Sequence, residues 1–177
     1  MDFQQSQTLI NLQIAYKNEL ETSSKNNIFG IQAGNENQLR ISDIFSTVSR
    51  NNRFIANRLR RLLNGGNTTS YENLLESSED ERYAQKNIYL EYSQIALQEG
   101  YTDISSLFNG ISNIKLNHSF LTKITAADLK NNELYCKKDE RTWVCLGCGN
   151  IMSGLCAPEI CPICGYPQTF YELFLSL

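Results

Sequence analysis

Two cysteine pairs near the carboxyl terminus constrain the fold of this chain more than any other sequence feature. They read Cys-Leu-Gly-Cys-Gly from residue 145 and Cys-Pro-Ile-Cys-Gly from residue 161, with twelve residues between the pairs. A spacing of two residues lets one tight turn aim both sulfurs at the same metal ion, and glycine suits the bend that follows. Two such turns supply the four thiolates that a tetrahedral zinc or a single iron ion accepts. We therefore predict one metal site formed by Cys145, Cys148, Cys161 and Cys164.

The alternative is that these cysteines form disulfides, as they do in small secreted domains. The amino terminus, Met1 to Gln5, has neither the basic start nor the apolar segment of a signal peptide. We therefore expect a cytoplasmic protein whose thiols stay reduced. Cys136 and Cys156 fall outside the paired pattern and are expected to be plain thiols, with a redox role as the lesser alternative.

Composition excludes several classes of partner. The 177 residues carry a formal net charge of −3, which argues against general binding to nucleic acid because phosphate contacts need a basic face. The sequence has no stretch of about 18 apolar residues, so no membrane span is predicted. Residues 1–140 contain no proline, a composition that favours long uninterrupted helices.

Hydrophobic periodicity predicts four amphipathic helices before the cysteine region. Their apolar stripes start at Leu9, Ile41, Leu74 and Ile104, and Ser70 is a candidate amino-terminal cap for the third helix. We expect a four-helix bundle over residues 1–130, a charged linker over 131–141, and a separate cysteine domain over 142–177.

The two helix pairs resemble copies of each other. The sequence Asp43-Ile44-Phe45 matches Ser106-Leu107-Phe108 at an offset of 63 residues, and Glu19 matches Glu81 at an offset of 62. A weak internal duplication of a helix pair follows from these matches.

A duplicated helix pair followed by a small domain with two Cys-x-x-Cys pairs resembles the rubrerythrins, a ferritin-like diiron family. The resemblance implies a mainly α fold, in which a ferritin-like four-helix bundle precedes a small rubredoxin-like domain. It also implies that the rubredoxin-type iron passes electrons to a diiron site that reduces hydrogen peroxide. The resemblance is carried by Asn11-Leu12 before Glu19, Asp43-Ile44-Phe45, Glu72-Asn73-Leu74 before Glu81, Glu99-Gly100-Tyr101, and, around the cysteine pairs, Trp143, Gly154, Pro158-Glu159, Pro167 and Glu172-Leu173.

The family's diiron ligands are incomplete here. Carried over residue by residue, the resemblance leaves Glu19, Glu81 and His118 at ligand positions. The other four positions hold Lys115, Asn52, Ile55 and Ala84.

We therefore expect no diiron centre in the bundle. Instead, the Lys115 ammonium is expected to pair with Glu19 and Glu81, because unpaired buried carboxylates are costly. Ile55 and Ala84 would then be ordinary core, and His118 a hydrogen-bonded core histidine. Surface positions for both glutamates are the alternative.

The connection between the second and third helices limits the topology. Residues 64–70 reach about 24 Å when fully extended, whereas a helix of about 25 residues is about 38 Å long. The loop cannot run back along the bundle, so we expect a domain-swapped homodimer in which helix pairs are exchanged. A plain up-and-down series of hairpins is the alternative.

These features predict a metal-binding redox protein that holds one iron per chain, with zinc as the alternative metal. Electron transfer with a redox partner protein is the first function, and a non-catalytic dimeric scaffold with structural zinc is the second. An active peroxide reductase is the third, so enzyme activity stays open. Four aromatic residues are expected to form the core of the small domain: Trp143, Tyr166, Phe170 and Tyr171.

Overall fold

The computed structural model describes residues 2–174 of a mainly helical chain. A π-helical turn, Gln85–Tyr89, joins the helices Ser70–Ala84 and Leu90–Gln98 into one continuous segment. This segment corresponds to the third predicted helix, so the four predicted helical stretches are confirmed. The chain divides into two compact units, of which one ends at Thr68 and the other begins at Thr69. The helices are α1 (Gln7–Asn35), α2 (Leu39–Leu63), α3 (Ser70–Ala84), α4 (Leu90–Gln98) and α5 (Thr102–Lys130).

The start of α3 differs by one residue from the prediction. Thr69, not Ser70, is the cap, because its hydroxyl accepts from the Glu72 amide while the Glu72 carboxylate accepts from the Thr69 amide. This reciprocal arrangement satisfies two amides that the first helical turn would otherwise leave unpaired.

The first unit is an antiparallel hairpin of α1 and α2 whose interface is lined by small residues. Ser23 and Ser49 are both buried, and each hydroxyl donates to the other residue's carbonyl, at 2.9 and 2.8 Å. The Ser42 hydroxyl donates to the carbonyl of Gly30 at 2.8 Å. A Cβ added to Gly30 would lie 3.5 Å from the Ser42 carbonyl, in ordinary van der Waals contact with the facing backbone.

The second unit pairs α5 with α3 and α4 by the same device. Ser78 and Ser119 exchange hydroxyl-to-carbonyl hydrogen bonds of 3.0 and 2.9 Å, and both side chains are buried. Ser93 and Ser105 do the same at 2.9 and 2.8 Å. Both hairpins therefore hold their helices together through small hydroxyl side chains.

The internal duplication is visible in these contacts. Ser105 and Ser93 stand 63 residues after Ser42 and Gly30, and each pair joins its two helices through a serine hydroxyl and a carbonyl. The equivalent contacts support the duplication that the sequence offsets predicted.

The π-helical turn explains why one offset is 62 residues and the other 63. Ser112 contacts Gln85 at 3.4 Å, where the first hairpin pairs Ser49 with Ser23. Ser112 follows Ser49 by 63 residues, but Gln85 follows Ser23 by only 62. The extra residue enters the second copy within Gln85–Tyr89, because a π-helical turn takes up one inserted residue without ending the helix.

Each hairpin leaves large apolar side chains exposed on its own surface. The α2 stripe that was predicted to be buried includes Ile44, 50% exposed, and Ile55, 48% exposed. In the second hairpin, Ile104 is 46% exposed and Leu107 is 60% exposed. Small residues occupy the contact between paired helices, so the larger side chains face outward from each hairpin.

The second unit also contains a three-stranded antiparallel sheet with the strand order β2-β1-β3. The strands are β1 (Cys136–Cys145), β2 (Ile151–Cys156) and β3 (Tyr171–Leu173). β1 begins inside the segment that was predicted to be a linker, so the connection from α5 is confined to residues 131–135. Among residues 2–174, no helix is both long and apolar enough to cross a membrane.

Replacing Ser23 with leucine should separate α1 from α2. We expect Ser23→Leu to lower the free energy of unfolding by about 1–3 kcal/mol, because a large side chain overpacks a buried contact and removes its hydrogen bonds. The matched control is Ser24→Leu at an exposed position of the same helix, with a change of less than about 0.5 kcal/mol. Urea unfolding followed by far-UV circular dichroism measures both, and equal effects would contradict the proposed contact.

Candidate metal centre

The two cysteine pairs form matching turns at the edge of the small sheet. In the first turn the Gly149 amide donates to the Cys145 carbonyl at 2.7 Å, and in the second the Gly165 amide donates to the Cys161 carbonyl at 2.9 Å. The φ angles of Gly149 and Gly165 are +76° and +73°, in the left-handed region that favours glycine. The glycine after each pair is therefore required by the turn, as the sequence predicted.

The four predicted sulfurs come together in one cluster. All lie within 4.8 Å of one another, with Cys145 Sγ 3.6 Å from Cys164 Sγ and Cys148 Sγ 3.7 Å from Cys161 Sγ. Metal–sulfur bonds of about 2.3 Å in a tetrahedron place sulfurs about 3.8 Å apart, so these distances fit four-thiolate ligation. They are much longer than a disulfide bond, and all four cysteines are free.

The cluster has a buried side and an exposed side. Cys145 and Cys161 are buried, whereas Cys148 and Cys164 are exposed. A metal ion held here would be shielded from water on one side and reachable through two sulfurs on the other. That asymmetry suits a centre that exchanges electrons without exchanging ligands.

The core of the small domain includes two of the ligands and only part of the predicted aromatic set. Trp143 and Tyr171 are buried with Cys145, Cys161 and Ala157. The Trp143 ring nitrogen donates to the carbonyl of Gly154 at 3.1 Å, which satisfies its polar atom.

The other two aromatic residues, Tyr166 and Phe170, are 45% and 39% exposed, so their assignment to the buried core was wrong. Their rings stack on each other with centroids 4.3 Å apart. A Cβ at Gly147 would come within 2.4 Å of the Tyr166 ring, so this ring covers the first cysteine turn closely enough to require glycine there.

The Tyr171 hydroxyl acts on the metal-site thiols. It is buried and has no hydrogen-bond partner among residues 2–174, but the Cys161 sulfur is close enough to influence its pKa. When the thiols hold no metal, the pKa of Cys161 is lowered to about 6. The largest cause is the Tyr171 hydroxyl, followed by the backbone amide of Cys164. The same contact with Cys161 raises the pKa of Tyr171 to about 12. Tyr171 thus favours negative charge on Cys161, a residue role that the sequence had not indicated.

The bundle positions form a small ion-pair cluster in the second hairpin. Lys115 Nζ lies 3.0 Å from Glu81 Oε1, and His118 Nδ1 lies 3.4 Å from Glu81 Oε2. The expected contact of Lys115 with Glu81 is therefore present, between two partly buried side chains. The expected contact with Glu19 stays a prediction, since Glu19 lies on α1 in the other compact unit.

Two other expectations for the bundle positions fail in the single chain. The side chain of His118 is 50% exposed and Ile55 is 48% exposed, so neither is a buried core residue. Ala84 is half-buried directly before the π-helical turn, and Asn52 is half-buried on α2.

The fold and the cysteine cluster define a helical protein with a small four-thiolate metal-binding domain. A family model described as "Rubrerythrin, rubredoxin-like domain" matches residues 143–172, which include both cysteine turns. Rubrerythrin of Nitratidesulfovibrio vulgaris is 29% identical over 95% of this chain and 94% of its own length. Rubrerythrin-1 of Clostridium acetobutylicum is 25% identical over the same shares, 95% and 94%. Residues 143–172 therefore match a rubrerythrin-type rubredoxin-like domain, and nearly the whole chain is similar to curated rubrerythrins.

Solved structures of nigerythrin also align with the chain. One in the mixed-valence state covers 96% of this chain and 87% of its own, with 19% sequence identity and a TM-score of 0.36.

Removing the Tyr171 hydroxyl should lower the reduction potential of an iron-loaded four-cysteine site. We expect Tyr171→Phe to lower it by roughly 40 mV, because a donor to a ligand sulfur favours the more negative reduced state. Tyr166→Phe is the matched control, since it keeps the exposed ring stack and should leave the potential unchanged. Protein-film voltammetry measures the potential, and a shift of the same size in both variants would contradict the assignment.

Removing the Lys115 ammonium should leave the Glu81 carboxylate without its counter-ion. We expect Lys115→Met to lower the free energy of unfolding by about 1–2 kcal/mol, because the partly buried Glu81 carboxylate then keeps only the longer contact with His118, at 3.4 Å. Adding Glu81→Gln to this variant should restore most of the loss, since the unpaired charge is then gone.

The control for this prediction is Lys25→Met. Lys25 pairs with Glu21 on an exposed helix face at 2.6 Å, and its loss should change the free energy of unfolding by less than about 0.5 kcal/mol. Chemical denaturation compares the three variants with the parent. The Lys115 interpretation fails if Lys115→Met is no more destabilising than Lys25→Met.

Proposed function

We propose that this protein is an electron carrier that holds one iron ion per chain at Cys145, Cys148, Cys161 and Cys164. The observation that carries the proposal is the asymmetric burial of the four sulfurs, two in the domain core and two at the surface. Iron bound to four thiolates supplies a one-electron couple. The matching family model is that of a rubredoxin-like domain, which supports iron over zinc.

The residues of the small domain have separate roles in this function. Trp143 and Ala157 exclude water from the buried side of the site, which keeps the thiolate ligands in place when the charge changes. Tyr171 favours the more negative state through Cys161. The exposed sulfurs of Cys148 and Cys164 are the point at which a redox partner protein would exchange the electron.

The bundle positions support electron transfer rather than peroxide reduction. A diiron site needs glutamates from two helices and a Glu-x-x-His pair from each of the others. Here Lys115 and Asn52 stand where the glutamates of those pairs are expected, and Ile55 replaces one histidine. The Lys115 ammonium beside Glu81 puts positive charge where cations would bind, which opposes metal binding at that position.

A dimeric scaffold with structural zinc is the second candidate. The Lys115–Glu81 ion pair favours it because an ammonium beside this carboxylate requires no metal, and the exposed apolar side chains of each hairpin favour association. Zinc at the four cysteines would then contribute folding energy alone.

Metal content and the visible spectrum of freshly purified protein decide between these functions. We expect about one iron per chain, red colour in the oxidised state and bleaching on reduction with dithionite. Cys148→Ser should lose the colour while the helices remain, which assigns the iron to this site. Zinc alone in protein produced with ample iron would overturn electron transfer in favour of the scaffold. About three irons per chain, with turnover of hydrogen peroxide, would instead support an active peroxide reductase.

We infer that the working form is a domain-swapped homodimer. α2 ends at Leu63 and α3 begins at Ser70, so residues 64–69 reach about 21 Å at most, against about 38 Å for a helix of the length of α2. Each hairpin also exposes a large apolar face. In a ferritin-like order, the short connection keeps the second hairpin of a chain from covering the first hairpin of the same chain. The second hairpin of another copy can cover it instead.

Light scattering should give about twice the chain mass of 20.2 kDa. Inserting about twelve glycine and serine residues between Asn64 and Thr69 should release a monomer or an unswapped dimer, because the connection can then span the bundle. The same insertion within residues 131–135 is the control and should leave the assembly unchanged. A monomeric parent protein at working concentration would overturn the swapped dimer.

A further inference from the structure

The two cysteines outside the metal cluster form a disulfide. Cys136 is the first residue of β1 and Cys156 the last of β2; they lie opposite each other in the sheet and are covalently joined. Their expected state as plain thiols is therefore wrong. The six cysteines separate into one bonded pair and four free ligands.

This disulfide is accessible and lies outside the domain core. Cys156 is exposed and Cys136 is half-buried, and neither belongs to the buried cluster around Trp143. Exposed disulfides are the ones that exchange readily with thiols, whereas buried structural bonds resist reduction. In a reducing compartment, such a bond is usually transient and serves catalysis or redox sensing.

The bond also closes a loop that contains half of the metal site. The loop between Cys136 and Cys156 includes Cys145 and Cys148, and its two ends are separated by 20 residues along the sequence. Residues 141–144 pair regularly with β2, but the register shifts between Cys136 and Arg141. Near the open end of this hairpin, the Ala157 amide also donates to the Tyr135 carbonyl at 2.8 Å.

The same end of the hairpin is attached to the last turns of α5. Lys137 follows Cys136 directly, and its ammonium lies 2.6 Å from the Asp128 carboxylate on α5. The disulfide thus fixes β2 to β1, and the Lys137–Asp128 ion pair ties β1 to α5. Opening it would leave β2 and the first cysteine turn less constrained relative to α5.

We propose that Cys136 and Cys156 are a reversible dithiol–disulfide site that reacts with thiol reductants and sets how firmly the first cysteine turn holds its metal. In reduction, a thiolate of the reductant attacks Cys156 Sγ, the sulfur–sulfur bond breaks, and the electron pair leaves on Cys136 Sγ, which takes up a proton. A second reductant thiolate attacks the mixed disulfide, which releases Cys156 as a thiol after protonation and leaves the reductant as a disulfide. Two electrons pass to the protein, and oxidation by an oxidised thiol of the same class is the exact reverse.

Zinc-loaded full-length protein tests this proposal, because zinc keeps the four ligands covered and has no redox chemistry of its own. The protein is equilibrated with mixtures of reduced and oxidised glutathione, and alkylation followed by mass spectrometry counts the free thiols. We expect millimolar reduced glutathione to free two thiols per chain without loss of zinc, and oxidised glutathione to restore the bond. The proposal is overturned if the bond is reduced only in denaturant or if reduction itself ejects the metal.

The second measurement is the rate of zinc transfer to a competing chelator, with Trp143 fluorescence as a local report on the small domain. Trp143 is the only tryptophan in the chain and lies in the core that contains Cys145 and Cys161. We expect transfer from the reduced protein to be at least about fivefold faster than from the oxidised protein. Equal rates in the two states would overturn the coupling to the metal site.

The control is the double variant Cys136→Ser and Cys156→Ser. It should transfer zinc at the rate of the reduced parent, and this rate should not depend on the ratio of reduced to oxidised glutathione. A double variant that stays sensitive to glutathione would assign the effect to the ligand cysteines and overturn the proposal. If this variant does not fold, the titration and transfer rates of the parent protein still decide the question. Neither measurement depends on whether the natural metal is iron or zinc.

Discussion

The close contact between paired helices is the constraint on which the helical part of this protein depends. Each hairpin is joined by buried small residues whose hydroxyls donate to carbonyls of the facing helix, as Ser23 does with Ser49 and Ser78 with Ser119. Small side chains at this contact leave the large ones to face elsewhere. The large apolar side chains of each hairpin are consequently exposed in the single chain, and this exposure is one basis of the dimer proposed above.

The positions that the resemblance assigns to diiron ligands show how this helical scaffold accommodates a half-buried carboxylate. A half-buried glutamate stays tolerable when a lysine occupies the place of a ligand, and Lys115 does this for Glu81. The π-helical turn that follows Ala84 preserves the register of the second copy despite one additional residue. The second hairpin thus keeps its helix contacts without a strict repeat of the first hairpin.

The cysteines of the small domain divide between two kinds of chemistry according to position. Four lie on tight turns that converge on one point, and their spacing fits metal ligation. Two lie at facing ends of neighbouring strands, where covalent pairing is geometrically direct. A one-electron metal centre and a two-electron thiol pair would then occupy the same small domain, joined by the loop that carries the first cysteine turn.

The sequence by itself determined the features that depend on short stretches of chain. The cysteine spacing fixed the metal cluster, because two intervening residues and a following glycine define the turn locally. Apolar periodicity determined the four helical stretches. The change of offset from 62 to 63 residues already indicated one inserted residue in the second copy. Lys115 opposite Glu81 could be predicted because the family pattern places both on facing helices.

Only the tertiary structure decided the features that depend on packing between distant residues. The register of β1 against β2 placed Cys136 beside Cys156, and no spacing rule in the sequence selects that pair. Burial separated Tyr171 from the exposed Tyr166, although both were plausible core residues by composition. Local patterns state which side chains share a turn or a helix face. Which of those faces meet, and which remain open to solvent, follows from the space that remains after the backbones have packed.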